Sequence, residues 1–511
     1  MRDGAFRFAE SETRPSLAAT SHASLAAAAP RNRIDEIVFA HLAKVQVAPA
    51  TSATDEVFLR RVYLDAIGTL PTADEAKAFL GGGEAGRRTA LIDRLLARNE
   101  FAVYRAMQWS DLLCIKAEFP IDLWPTAARE YNRWLLDSLT ANQPYDRFAH
   151  ELLTASGSNF RVGPVNFYRA MQNRDPQSLA QAAARVFLGI RTEKWPEARR
   201  AAMAAFFSQV GYKPTGEWKE EIVYYDRNKP LPTDAVFPDG TTARLQPGVD
   251  PRQIFADWLI GGNNPFFARN LVNRIWAWLY GRGIVDEPDD MRPDNPPIYP
   301  DLLDYLAMEF VHSGYDQKHI YRLILNSNVY QLSSVRRGAP AAKHFASYTV
   351  RRLDAEVLID ALGQITGSSE QYSSAVPEPY TIVPEGERAI ALPDGSISSP
   401  FLELFGRSPR NTGLESERNN RPSTAQRLHL LNSSHIERMI EQGPALDAIY
   451  RLSDQRAMAT QLYLTILSRY PTEEELKIAA TYARTGGVNR RQAGVDLAWA
   501  LINSTEFVYR H

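Results

Sequence analysis

Apolar side chains recur at the spacing of an α-helix through most of this chain, and this period limits the fold more than any other feature. Residues 34–45 (IDEIVFAHLAKV) and 55–70 (DEVFLRRVYLDAIGTL) place apolar residues three or four positions apart. The pattern returns after residue 251 in PRQIFADWLI, PFFARNLVNRIWAWLYG and KHIYRLILNSNVYQL. Such a chain is predicted to be mainly α.

Two stretches interrupt the helical pattern. Residues 213–250 contain the strand-like runs EIVYY and AVFPDGTTARL, and the Pro238-Asp239-Gly240 turn predicts a linker with a small β-hairpin. Residues 367–409 are too long for a plain connector, which indicates an irregular binding loop or flap. Because 511 residues exceed what one core usually supports, we expect a disordered leader at 1–30, a helical domain at 31–212, the linker, and a second helical domain at 251–511.

The two ends of the chain resemble each other. YLDAIGTLPTADE (63–75) and YLTILSRYPTEEE (463–475) share Tyr-Leu, Pro-Thr and a Glu three residues after the Thr. Each predicts a capping box, Thr72 with Glu75 and Thr472 with Glu475. LLARNEFAVYR and LINSTEFVYR follow in the same order. We therefore expect a related helical pair at each end, although both could be generic helix–turn–helix segments.

Charge and cysteine content exclude several classes of function. The 58 Lys and Arg residues against 60 Asp and Glu give a net charge of −2, so we expect no nucleic-acid partner and no anionic membrane surface. No run approaches the roughly 18 apolar residues of a membrane span. The single cysteine, Cys114, excludes an intrachain disulfide, a cysteine-based zinc site and an iron–sulfur cluster. The acidic run DEPDDMRPDNPP (286–297) is either a solvated loop or a set of oxygen ligands, and its irregular spacing favours the loop, so no metal site is predicted.

Two helical segments place polar groups beside apolar ones. Asn264 is predicted as the N-cap of a helix that begins at Pro265, and Asn273 and Arg274 flank its apolar stripe. In RRLDAEVLIDALGQITG, a helix would carry Arg352, Glu356 and Asp360 on one face, either as an exposed ladder or as an ion-pair cluster buried at a domain interface. The candidate structural polar cluster therefore comprises Asn264, Asn273, Arg274, Arg352, Glu356 and Asp360.

The segment FGRSPRNTGLESERNNRPSTAQRLHLLNS (405–433) holds five arginines. They could form a clamp for an anion or carboxylate. Pairing with Glu415 and Glu417 could equally leave a neutral structural knot. The candidate ligand-binding residues are Arg407, Arg410, Glu417, Arg418 and Arg421.

Long blocks of the chain resemble known families. FLRRVYLDAIGTLPTADEAKAFL and LIDRLLARNEFAVYRAMQWSDLL resemble the planctomycete-type cytochrome-associated domain of unknown function. FADWLIGGNNPFFARNLVNRIWAWLYGRGIVDEPDDMRPDNPPIYPDLLDYLAMEF, RRLDAEVLIDAL and DLAWALINSTEFVYRH resemble the planctomycete-type domain that follows it in the same proteins. The resemblance covers nearly all of 33–511. It implies an exported protein of planctomycetes, verrucomicrobia or relatives, whose biochemical activity is undefined.

The chain departs from that pattern at two places. Where many relatives carry C-x-x-C-H after FLG, this chain has IRTEKWPEARRAAMAAFF, so covalent c-type haem is excluded. Trp195 and Arg199 occupy this haem-equivalent segment, as a packed joint or beside a replacement ligand. Residues 414–418 read LESER where many relatives have Cys-Glu-Cys-Glu-Arg. Both losses indicate a haem-free branch, and we predict no cofactor.

Three functions follow as expectations. The first is a non-catalytic extracytoplasmic binding or assembly component, with a polysaccharide or a surface protein as partner. The second is a glycan-acting enzyme with a pocket between the domains near residues 405–421, and the third is a non-covalent cofactor or redox protein. No signal peptide is evident in the first thirty residues, so export is expected from the resemblance alone.

Overall fold

The structure, a computed structural model, describes residues 29–262, 264–335, 343–383 and 385–511. The predicted leader at 1–30 lies outside them except for positions 29 and 30. Helix accounts for 53% and strand for 5% of the chain, which confirms the mainly α fold. Among the helices that the structure describes, none combines the length and the apolarity needed to cross a bilayer.

The first two helices carry the segments predicted at 34–45 and 55–70, and polar caps or prolines set the start of several of the first nine helices. For example, the Asp175 carboxylate accepts the amides of Gln177 and Ser178 at the start of α8, and Gly189 ends that helix with φ +65°. The bounds are α1 Arg33–Lys44, α2 Asp55–Ile67, α3 Ala73–Gly81, α4 Arg87–Ala97, α5 Asn99–Leu112, α6 Pro125–Thr140, α7 Tyr145–Thr154, α8 Pro176–Leu188 and α9 Glu197–Ala204.

The strands form three small antiparallel sheets within the described ranges. β1 (Gly157–Ser158) and β2 (Val210–Pro214) flank β3 (Glu221–Tyr225), which is the predicted EIVYY run. β4 (Asp234–Val236) pairs with β5 (Thr242–Arg244) around Pro238-Asp239-Gly240, so the predicted hairpin is confirmed. β6 (Arg351–Arg352) pairs with β7 (Tyr509–Arg510) and joins the last strand to the middle of the chain.

The later helices follow the hairpin. Their bounds are α10 Pro251–Ile260, α11 Phe267–Tyr280, α12 Pro300–His312, α13 Gln317–Leu325, α14 Ala355–Thr366, α15 Pro400–Leu404, α16 Thr424–Asn432, α17 Ser434–Gln442, α18 Pro444–Tyr450, α19 Gln455–Leu467, α20 Glu473–Thr485, α21 Arg490–Ile502 and α22 Thr505–Val508. Between α14 and α15 the chain is irregular, as predicted. Its second half is not a free flap, because Ile390, Leu392 and Ile397 are buried in the core.

The buried apolar side chains form two clusters. One runs from Ile34 to Tyr348, includes most of the helices up to α13, and also takes in Leu464. The other runs from Leu353 to Phe507 and also takes in Leu64, Leu70, Tyr104 and Met107 from the first part of the chain. The α2–α5 segment therefore packs into both clusters, which couples the two ends of the chain.

The related ends share their local geometry. Both predicted capping boxes are present, and the helices before them end in left-handed residues, Gly68 at φ +59° and Ser468 at φ +62°. In each copy an arginine joins the capping-box Glu to the Glu of the Glu-Phe pair. Arg98 joins Glu75 to Glu100, and Arg469 joins Glu475 to Glu506. The arginines come from different sequence positions, so the shared feature is the cluster rather than the alignment.

Candidate functional site

A cleft of about 470 Å³ lies between the first part of the chain and the second. The end of α5 forms one wall, through Gln108 and Asp111. Helix α11 and the acidic loop after it form another wall, and the arginine-rich loop closes the third. The remaining charged lining residues are Arg191, Arg274, Arg282, Asp286, Glu287, Asp289, Arg351, Asp354, Glu415, Arg418, Arg421 and Arg510.

Arg418 connects the walls of this cleft. Its guanidinium donates to Asp111 of α5 at 2.6 Å and to Glu356 of α14 at 2.6 Å. Glu356 is completely buried, and burial alone would raise its pKa, but the charge and hydrogen bonds of Arg418 hold that pKa below the usual range. The pKa of Arg418 is correspondingly raised, against burial, mainly by Asp111 and Glu356.

Arg410 and Arg407 complete the network behind the cleft. Arg410 is fully buried and donates to Asp111 at 2.9 Å and to the carbonyl of Ile115 at 3.2 Å. Arg407 donates to the carbonyl of Ile397, and its Nε lies 3.5 Å from Glu356. Burial, together with the neighbouring Arg410, lowers the pKa of Arg407 to about 10. These arginines are structural links between distant segments.

The partners of the arginines differ from those expected. The interpretation that these arginines pair with Glu415 and Glu417 is wrong, because their carboxylate partners are Asp111 and Glu356. The Glu417 carboxylate instead accepts the backbone amides of residues 411–413 at 3.0 to 3.2 Å and fixes the turn of the loop. A local sequence window could not supply these partners, which lie up to 307 positions away.

Glu415 and Arg421 lie on the open side of the cleft. Six of its seven arginines are ion-paired, and Arg421 is exposed without a carboxylate partner among the described residues. The backbone amide of Glu415 donates to Asp289 at 2.8 Å, and Asp289 pairs with buried Arg274 at 2.7 Å. Solvent reaches Glu415, yet desolvation by the surrounding protein and the nearby Asp289 raise the pKa of its carboxyl to about 7.

The predicted polar cluster is divided among several places. Asn264 accepts the amides of Phe266 and Phe267, but α11 begins at Phe267 rather than at Pro265. Asn273 is buried and exchanges two hydrogen bonds with Val285, which positions the turn into the acidic loop. Asn264 therefore lies two positions before the N-cap, Phe266, rather than at the N-cap as predicted.

Glu356 and Asp360 lie on one helix as predicted, but the prediction that Arg352 shares that helix is wrong. Helix α14 begins at Ala355, so Arg352 lies on β6, where it donates to the carbonyls of Phe405 and Asn419. Asp360 accepts the amides of Ala389 and Ile390 and anchors the irregular segment. Burial raises the pKa of Asp360 to about 6 despite those hydrogen bonds.

The haem-equivalent segment brings the side chains of Trp195 and Arg199 together. The Arg199 guanidinium lies 3.8 Å from the centre of the half-buried Trp195 ring and donates to the Pro238 carbonyl at 2.8 Å. At Gly189, a Cβ would approach Asn270 Oδ1 to 2.6 Å, so α11 packs directly against the turn. Neither Trp195 nor Arg199 lines the cleft.

Sequence reasoning missed a buried carboxylate, Asp65 of α2. Its two oxygens accept four hydrogen bonds at 2.8 to 3.0 Å from Tyr330, Tyr348, Arg351 and Arg510. The repeat held a signal for it: an acidic Asp65 stands in the first copy where the second copy has the neutral Thr465. Arg510 also donates to Asp354. Burial would raise the pKa of Asp354, but the charges of Arg510 and Arg418 hold that pKa well below its usual range. This network supports the floor of the cleft.

The comparisons with known proteins agree with the resemblance. The family model PSCyt2, protein of unknown function (DUF1549), matches residues 33–199. The family model PSD1, protein of unknown function (DUF1553), matches residues 251–483. No curated protein and no solved structure matches the chain. The single cysteine, which is buried, rules out a C-x-x-C-H haem motif.

Proposed function

We propose that this chain, which belongs to the proteins that join a PSCyt2 region to a PSD1 region, is an extracytoplasmic binding component that holds an uncharged glycan segment in the interdomain cleft. One observation carries the proposal. Most charged side chains that line the cleft are held in ion pairs, and among the described residues Glu415 and Arg421 line its open side without an ion-pair partner.

This arrangement suits a ligand rich in hydroxyl groups. Arg421 can donate several hydrogen bonds and a carboxylate such as Glu415 can accept them, while the indole of Trp278 supplies an apolar wall. A nucleic acid would require a surplus of positive charge that the paired cleft does not offer. Export is carried over from the family resemblance.

The test is glycan binding by the full chain and by Arg421→Ala. Affinity electrophoresis through laminarin, xylan, galactomannan and pullulan should retard the wild type in at least one gel, and R421A should bind about fivefold or more weakly. Arg451→Ala removes a well-exposed arginine just after α18 and is the matched control, since it should bind as the wild type does. Failure of all four glycans, or equal binding by R421A, would reject the proposal.

A glycan-acting enzyme is the second candidate, and Glu415 favours it. A carboxyl group whose pKa is about 7, beside the carboxylate of Asp289, has the protonation behaviour of a general acid. Release of reducing sugar from any glycan that binds should then be lost in Glu415→Gln, with binding retained. Hydrolysis at the wild-type rate by E415Q, or no hydrolysis by the wild type, would reject this candidate.

A further inference from the structure

The tip of the β2–β3 hairpin presents an exposed tryptophan. Trp218 is 71% exposed, whereas most of the large aromatic side chains of the protein are packed in its two cores. The hairpin belongs to the sheet between the two family regions. An indole this exposed adds little to the core, and its neighbours decide whether it belongs to a contact surface.

The turn that carries Trp218 is braced. Thr215 donates its amide to the Glu220 carbonyl at 3.2 Å and its hydroxyl to the Glu220 carboxylate at 2.6 Å. Glu220 is itself buried and bonded to the Ser158 hydroxyl. Asn159 donates to the carbonyl of Lys219, which holds that residue at φ +63°. The indole is therefore held on a preorganised loop, which lowers the entropy lost on binding.

A trough of about 490 Å³ lies beside this tryptophan, and its charges are paired. Arg169 and Arg174 both bind Glu221, at 2.9 and 2.8 Å, and Lys219 binds Asp122 at 3.3 Å. The trough therefore carries many hydrogen-bonding groups with little net charge. That balance fits an uncharged polar ligand better than an anionic one.

Two more rings continue the surface from Trp218. The Lys219 ammonium lies 5.9 Å from the centre of the Trp218 ring and 5.6 Å from that of Trp124. Trp124 in turn contacts Tyr380, with ring centres 5.2 Å apart, and Tyr380 is half exposed. The rings come from three segments of the chain, including the irregular one before α15.

We propose that this surface, defined by Trp124, Trp218, Lys219 and Tyr380, binds a neutral polysaccharide chain. Sugar rings present an apolar C–H face, which stacks on aromatic rings, and hydroxyl groups, which bond to the charged side chains between them. The centre of a protein–protein interface is depleted of charged residues, whereas here charged groups separate the rings. The inference rests on the proposed function only for the class of ligand, since the surface is separate from the cleft residues Glu415 and Arg421.

The test uses the full chain in affinity gels of laminarin, xylan, galactomannan, pullulan and hydroxyethyl cellulose. At least one gel should retard the wild type, and Trp218→Ala should weaken binding about tenfold or more, as expected for loss of an aromatic anchor. Tyr380→Ala should weaken it less. Tyr470→Ala, which removes an equally exposed ring between α19 and α20, is the matched control and should bind normally.

The outcomes separate this surface from the cleft. Loss of retardation in W218A with normal binding by Arg421→Ala supports the surface and rejects the cleft. Loss in R421A with normal binding by W218A does the reverse. The proposal is also overturned if none of the five polysaccharides retards the wild type, or if W218A instead loses a protein partner that the wild type captures.

Discussion

Arg418→Met should destabilise the protein more than any exposed charge substitution. The change removes the guanidinium that donates to both Glu356 and Asp111 and keeps a chain of similar length. Asp111 retains Arg410, but Glu356 is fully buried, and its other cation, Arg407, is 3.5 Å away. Removing one partner of a buried ion pair costs about 3–5 kcal/mol, and most of that cost should come from Glu356.

The pH dependence identifies Glu356 as the source. In the wild type its folded pKa is lowered, so its contribution to stability is present above the unfolded pKa of about 4.3 and is lost as pH falls through the folded value. Without Arg418, burial raises the pKa of Glu356, and ionisation then costs stability as pH rises. The deficit of R418M should therefore be larger near pH 7 than near pH 5.

Urea unfolding followed by circular dichroism at both pH values measures this deficit. Arg133→Met, which breaks an exposed pair with Glu130, is the matched control and should cost about 0.5 kcal/mol or less. The double variant Arg418→Met/Glu356→Gln should recover most of the loss, because it removes the unpaired charge. A deficit no larger than that of R133M, no recovery in the double variant, or no change with pH would refute the reasoning.

Three further substitutions test other features. Asp360→Asn removes a carboxyl whose folded pKa of about 6 exceeds the unfolded value of about 3.9. The wild type loses stability as pH rises through 6, and the variant should not show this loss. An unchanged slope of unfolding free energy against pH would contradict this. Gly189→Ala should lower the free energy of unfolding by about 2 kcal/mol or more, because the new Cβ strains a left-handed backbone and approaches Asn270 too closely. An unchanged melting temperature would show that α11 does not pack tightly against this turn. Asp65→Asn leaves Arg351 without a carboxylate partner and leaves Arg510 with Asp354 alone. It should cost about 3 kcal/mol or more in urea unfolding, and a loss below about 1 kcal/mol would contradict its central role.

Local signals explain what the sequence predicted well. The capping boxes at Thr72 and Thr472 and the turn at Pro238-Asp239-Gly240 each depend on residues within a few positions. Helix starts were less accurate, because an apolar period does not show where its first turn begins. Arg352 therefore seemed to share a helix with Glu356, although β6 intervenes before α14 begins at Ala355.

Long-range partners explain most of what the sequence did not predict. The arginine-rich loop was recognised as a charged cluster, but Asp111 lies about three hundred positions earlier and nothing near Arg410 or Arg418 points to it. Trp218 was overlooked for a related reason. Its surroundings are polar and turn-like, and only the folded hairpin reveals that its ring faces solvent.

The contacts between the two ends of the chain bear on how the protein is made. Arg60 of α2 is buried and donates to the carbonyls of Ile466 and Phe507, and Asp65 needs Arg510. A nascent chain exposes α2 long before these partners leave the ribosome, so Arg60 and Asp65 lack their partners from the end of the chain until synthesis is nearly complete. Shortened products that lack residues 505–511 should consequently be recognised as misfolded and degraded, although both matched family regions would be intact.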